Sequence, residues 1–240
     1  MRYRSQDASV VWRAVCPGTC AHIHVDYAST RAFTFSFEGA GGARAEVLEV
    51  PASGGAPLPV ADVTAAVAGG DVRAGQTTHC SATNHMYIGV AHGGAGADQV
   101  LAVDLARGVV DKVITLQHRL FDALWATCDT TTGGAIGGVS FDAASGTAEF
   151  GTVDDSGAYT KKSSVAIAAG FVPSGLLTAT SPASYQDAFI AAFYPPGALT
   201  NASHAAGLLW SVDPYGGGTD DTTAPIPFML IGAAWDRGGR

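Results

Sequence analysis

His22-Ile23-His24 is the first group along the chain whose spacing could do chemistry. Alternate residues of a β-strand share a face, so both imidazoles could reach one metal ion. Cys16, Cys20, Cys80 and Cys128 add soft donors. Cys16-Pro-Gly-Thr-Cys20 is one residue longer than the Cys-x-x-Cys of redox and zinc-ribbon motifs. A local disulfide across the Pro17-Gly18 turn and two separate thiols both suit that spacing. Gly93-Gly-Ala-Gly-Ala-Asp98 matches the core of the calcium-binding nonapeptide. That motif works in stacked copies that share ions, so a single copy is expected to be a hairpin loop. The sequence has no Gly-x-Ser-x-Gly elbow, phosphate loop or His-Glu-x-x-His motif. No catalytic residue is assigned, and no cofactor is expected.

The charge balance narrows the partners. With 13 Lys+Arg against 21 Asp+Glu, the 240-residue chain carries a formal net charge of −8. Nucleic-acid binding needs a basic stripe to displace counterions, so nucleic acid is not expected as a partner. Hydrophobic residues reach 47% and charged residues only 14%, which favours a packed core over disorder. The 31 glycines favour a turn-rich β chain. Residues 163–186 carry no charge, but Pro173, Pro182 and many Ser/Thr interrupt them. Strands and loops are expected there, with no membrane span. Ser-Gln-Asp follows Met1-Arg-Tyr-Arg4, so no signal-peptide core is expected. Four cysteines are too few for a disulfide scaffold, and Asn201-Ala-Ser203 is a sequon that often occurs by chance. The compartment stays open.

Two recurring phrases must position these residues. The first is an apolar strand, an Asp, then a short turn with Gly. It reads Val100-Leu-Ala-Val-Asp104-Leu-Ala-Arg-Gly108 and Leu209-Trp-Ser-Val-Asp213-Pro-Tyr-Gly-Gly217. Val47-Leu-Glu-Val-Pro51 and Phe150-Gly-Thr-Val-Asp154 are variants. In such a hairpin, Asp bonds nearby backbone and Gly supplies a positive φ. The second phrase ends a strand near Asp26, Ser81, Asp129 and Ser181, each followed by Ser/Thr-rich turn residues. Both sets of anchors keep a period of roughly 50 residues, the signature of four-stranded propeller blades.

The chain is therefore expected to be all-β. The expected fold is a β-propeller with four complete four-stranded blades, near residues 20–67, 75–116, 122–167 and 174–228. Residues 9–15 and 229–236 are expected in a partial fifth blade, and the chain is expected to be part of a longer propeller. The Val103-Asp-Leu-Ala-Arg-Gly-Val-Val110 hairpin resembles the third-to-fourth-strand turn of YVTN and quinoprotein-like propellers. That resemblance implies fold alone. A Trp-Asp dipeptide of the WD40 kind recurring at blade ends and the kelch double Gly with its spaced aromatics are both lacking.

Drawn on blades, His79 takes the place equivalent to His24. First strands of adjacent blades are neighbours, so His22, His24 and His79 form a weak metal candidate. Thr127 and Ala179 stand at the equivalent places in the later blades, so no metal site is assigned. Cys80 and Cys128 are also blade-equivalent, which suits a disulfide, a soft-metal pair or two inert core thiols. Propeller ligands bind on loop faces. The loops here present Asp71 and Arg73, His92 and Asp98, His118, Arg119 and Asp122, and Tyr194, Asn201 and His204. Of these, His92, Asp98, His118, Arg119, Asp122, Tyr194 and His204 are the ligand-binding candidates. The expected function is a non-catalytic interaction or scaffold module with a protein partner. The alternatives are an enzyme, small-ligand or metal binder using the channel, and a structural subunit of an envelope layer.

Overall fold

The structure is a computed structural model that describes residues 2–3, 10–12, 15–21, 23–26, 29–38, 43–72, 76–93, 96–126, 136–173, 189–195, 207–212 and 222–226. Near its start, β1 (Arg2–Tyr3) pairs with β2 (Val10–Trp12) in a two-stranded ladder. The first blade comprises β3 (Thr19–Cys20), β4 (His24–Asp26), β5 (Arg31–Glu38), β6 (Arg44–Glu49) and β7 (Leu58–Asp62). A single helical turn, α1 (Thr64–Val67), leads to the second blade. That blade is β8 (Thr77–Cys80), β9 (His85–Val90), β10 (Gln99–Asp104) and β11 (Val109–Thr115). The third is β12 (Ala123–Ala126), β13 (Ile136–Asp142), β14 (Thr147–Val153) and β15 (Tyr159–Ala166). The fourth is β16 (Val172–Pro173), β17 (Phe189–Tyr194), β18 (Gly207–Val212) and β19 (Thr222–Ile226).

Each blade is an antiparallel meander, and the four sheets ring an axis as a β-propeller. β4 lies beside β8, and β8 beside β12, so the first strands of successive blades are the inner ones. The outer strands β7 and β11 are neighbours as well. Two features depart from the sequence reading. The first blade has five strands, because its inner strand is split. The Ala21 carbonyl accepts the Thr34 hydroxyl at 3.1 Å, and the interruption divides β3 from β4, which both pair with β5. A partial fifth blade is not shown. Val10–Trp12 pairs with Arg2–Tyr3, and residues 229–236 lie outside the described residues.

Burial explains why the strands read as nearly continuous apolar runs. A blade packed on both faces needs apolar residues at odd and even positions. In β9, Met86, Ile88 and Val90 enter a core shared with Phe33, Phe35 and Val47 of the first blade. Tyr87 enters the next core with Leu124, Ile136 and Val153 of the third blade. A third core joins Trp125, Val139 and Phe150 to Phe193 and Trp210 of the fourth. Trp125 meets Phe150 edge-on at 5.7 Å. A fully buried side chain such as Ile88 stabilises the fold by about 1.5–3 kcal/mol. The outer strand β15 instead exposes Lys161 and Lys162, charges that suit a sheet edge.

The hairpin turns work as the Asp and Gly positions require. Asp104 Oδ1 accepts the N–H groups of Ala106 and Arg107 at 2.8 and 3.0 Å. Asp154 Oδ1 accepts those of Ser156 and Ala158 at 2.8 and 3.0 Å. A bulge recurs between the third and fourth strands of the first three blades, at Val47/Leu48, Ala102/Val103 and Phe150/Gly151. Bulges bend and re-aim a strand, and here they act on the outer strand of each blade.

Two of the turn glycines, Gly108 and Gly157, also abut the preceding blade. Gly157 has φ +79°, and a Cβ there would run into the Thr115 carbonyl of β11. The Gly157 carbonyl accepts the Gln117 N–H at 3.0 Å. Gly108, with φ +67°, makes the equivalent approach to the Val60 carbonyl of β7. Gly157→Ala meets both backbone strain and a clash, so it should cost about 1–3 kcal/mol in chemical denaturation. Gly93 has φ +58° and open space around it, so Gly93→Asn should lie within about 0.5 kcal/mol of the parent.

Candidate functional site

The segment from β11 to β12 crosses from the outer edge of one blade to the inner edge of the next, and it carries His118, Arg119 and Asp122. Two carboxylates fix its path. Asp98 Oδ2 accepts the Leu120 N–H at 2.6 Å, while Oδ1 accepts the His92 N–H at 2.8 Å. The Asp98 carbonyl takes the Leu116 N–H at 2.8 Å. The glycine-rich loop before Asp98 is thereby tied to the crossover. Asp122 Oδ2 accepts the Phe141 N–H at 2.7 Å and an Arg119 Nη2 hydrogen at 3.0 Å. The Asp122 N–H donates to the Val139 carbonyl at 2.7 Å, which joins the crossover to β13.

Apolar contacts complete the anchorage. Leu120 and Phe121 are buried in the core between the second and third blades. Phe121 lies against Gly138 so closely that a Cβ at 138 would meet its side chain and the Ala123 carbonyl. His118 stacks on Tyr159 at 4.2 Å between ring centroids. Its Nδ1–H donates to the Arg119 carbonyl at 2.7 Å. Burial, with the nearby Glu149 charge, pushes the Tyr159 phenol up to about 12, so it stays protonated at neutral pH.

Beside this crossover a cavity of about 260 Å³ opens onto the third blade. His118 and Arg119 form one wall. Ser140, Asp142, Thr147 and Glu149 come from β13 and β14, and Ser145 from the turn between them. Ser140 faces Glu149 across the ladder, and Asp142 faces Thr147. Alternation puts all four on the blade face that carries Ile136 and Gly138. That face is apolar at one end and polar at the other. Asp142 is partly committed to its own turn, accepting the Ala144 N–H at 2.9 Å and the Ser145 hydroxyl at 2.7 Å. Those bonds hold its carboxyl below the usual range. Glu149 pairs with Lys161 at 2.6 Å.

The candidate residues thus separate into groups. His118 and Arg119 line the cavity, while Asp98 and Asp122 brace the crossover from behind. His92 lies in the braced loop, its ring close to Gly70. Tyr194 is 2% exposed and sits at the end of β17, paired with Val172, in place of the expected loop position. Asp71 forms a backbone bridge with Ala91. His22, Arg73, Asn201 and His204 lie outside the described residues. Sequence reading missed Ser140, Thr147 and Glu149. Their alternation within two adjacent strands was the available signal, but it does not reveal which loop covers them.

Thr77 and His79 share one face of β8, and His24 pairs with Phe33 across β4 and β5. His24 Nε2 lies 3.0 Å from the Thr77 hydroxyl, and the His79 ring lies 5.7 Å from that of Phe33. Among the described residues, the group with metal-like spacing is His85, Asp104 and Asp111. Arg107 already spans both of its carboxylates, supplying the positive charge a cation would bring. Cys16 and Cys20 form a disulfide with Cα atoms 6.2 Å apart. Cys80 is buried between the second and third blades, and Cys128 lies outside the described residues. No helix among the described residues is long and apolar enough to cross a membrane. No protein-family model and no curated protein sequence matches the chain.

Burial lowers the His79 pKa, and the nearby Asp26 charge opposes this only in part. Unfolding restores an ordinary value near 6.5, so the unfolded chain binds the proton first as the pH falls. The stability contribution is present above about pH 6.5 and declines below it, towards the lower folded-state value. Denaturation series from about pH 8 to about pH 5 should show that decline. His79→Gln should flatten it.

Proposed function

We propose that the protein is a non-catalytic interaction module that presents its propeller rim to a protein partner. The observation that carries this reading is a group of exposed apolar side chains on two neighbouring outer strands. Leu58 on β7 is 56% exposed and Val113 on β11 is 47% exposed, and the strand registers put both on the faces through which the first two blades dock. Single exposed apolar residues are ordinary, but grouped ones favour protein contact. Adjacent strands of two docked blades offer such a group on a rigid support. The net charge of −8 favours a partner with a neutral or basic surface. Asp98 and Asp122 hold backbone groups and Asp104 and Asp154 hold turns, which suits a scaffold.

Apolar contact resists salt, because screening weakens mainly exposed charge pairs. The test is capture on immobilised protein, identification of the captured species, then reconstitution from purified components. Binding should persist when the ionic strength is raised to about 0.5 M. It should fall at least about tenfold in a Leu58→Asp, Val113→Asp variant that keeps the parent thermal midpoint. Failure to reconstitute, or equal binding by the folded variant, would contradict the reading.

A further inference from the structure

We infer that the cavity between the crossover and the third blade binds a neutral, polyhydroxylated ligand the size of one sugar ring. The inference goes beyond protein recognition at the rim and does not depend on it. Its first ground is Ser140. This residue is 6% exposed, yet its Oγ is buried without a hydrogen-bond partner at the cavity wall. Buried hydroxyls are normally satisfied, and this one belongs to a residue in the wall of a space that can hold a hydroxylated ligand.

The second ground is the charge arrangement. Arg119 pairs with Asp122 at 3.0 Å, and Glu149 with Lys161 at 2.6 Å. Asp142 is held by the Ala144 N–H and the Ser145 hydroxyl. An anion would meet the carboxylates of Asp142 and Glu149. A cation would have to displace Lys161 from Glu149 or compete with Arg119. A neutral ligand disturbs none of these pairs.

The third ground is the mixture of donors and acceptors. The His118 Nδ1–H is committed to the Arg119 carbonyl, which leaves Nε2 of the neutral ring as an acceptor. The second Glu149 oxygen accepts, the remaining Arg119 N–H groups donate, and the Ser140 and Thr147 hydroxyls do both. Several hydroxyls on one ring answer such a set, because each can donate and accept. At about 260 Å³ the cavity lies just below the roughly 300–1,000 Å³ of drug-sized ligand sites. That suits a single hexose or cyclitol ring, free or at the end of a glycan.

The test is ligand-observed NMR on the full chain with glucose, galactose, mannose, N-acetylglucosamine and myo-inositol. Methyl glycosides of the sugars mark a glycan end, and N-acetyl-lysine amide and inorganic phosphate are the charged probes. At least one neutral ring should bind at millimolar concentration. Its affinity should drop about tenfold in Ser140→Ala and in Thr147→Val, through lost hydrogen bonds. Thr147 is partly exposed at the outer end of the face, so its variant tests the site even where Ser140→Ala perturbs folding. Equal binding of a sugar and its methyl glycoside supports a glycan-end ligand, and binding of the free ring alone supports a soluble one. No binding by any neutral ring, preferential binding of a charged probe, or unchanged affinity in both variants would overturn the inference.

Discussion

One carboxylate holds the polar face of this propeller in place. Asp98 bonds backbone N–H groups on both sides of the blade-to-blade crossover, with its side chain reaching His92 and Leu120 and its carbonyl reaching Leu116. None of these three N–H groups belongs to a residue within a strand. With the crossover fixed there, Leu120 and Phe121 enter the core between blades. His118 and Arg119 are then carried to the cavity. Asp122 repeats the arrangement one turn later by taking the Phe141 N–H. Polar residues in the crossover therefore do the work that ladders do elsewhere in the blade.

The blades depend on one another in the same manner. The turns at Asp104 and Asp154 close around their aspartates and press Gly108 and Gly157 against the outer strand of the blade before. The cavity lies at such a junction, between a crossover leaving the second blade and the inward-turned face of the third. Its shape is set by docking between blades, so changes at Gly157 or Gly138 act on it without touching a ligand. Ser140 illustrates the cost of that placement. A hydroxyl at the boundary between the apolar and polar parts of one face is buried by docking but given no partner.

Much of the architecture was legible because the decisive signals are local. Asp104 and Gly108, and Asp154 and Gly157, mark hairpins through their own backbone chemistry, and apolar runs on both faces mark strands stacked between neighbours. The hairpin between β10 and β11 forms around Asp104 for that reason. The site was only half legible. His118, Arg119 and Asp122 announced themselves as polar residues between two blades. Ser140, Thr147 and Glu149 read as ordinary alternation in a hairpin, since only docking shows what covers them. The break at Ala21 in the first blade was hidden too, because no Gly, Pro or Asp marks a turn between Thr19 and Val25. Tyr194 was read as a loop residue because Pro195-Pro196-Gly197 follows it, whereas its ring is buried on Gly207.

The role of Asp98 can be measured directly by amide hydrogen exchange in the parent and in Asp98→Ala. Removing the carboxylate should accelerate exchange at Leu120 and His92 by at least about tenfold. Ile88 and Leu101, deep in the preceding core, should keep their protection. Unchanged protection of Leu120 and His92 in the variant would contradict the account, because the crossover would then be held without the interaction on which the cavity is argued to depend.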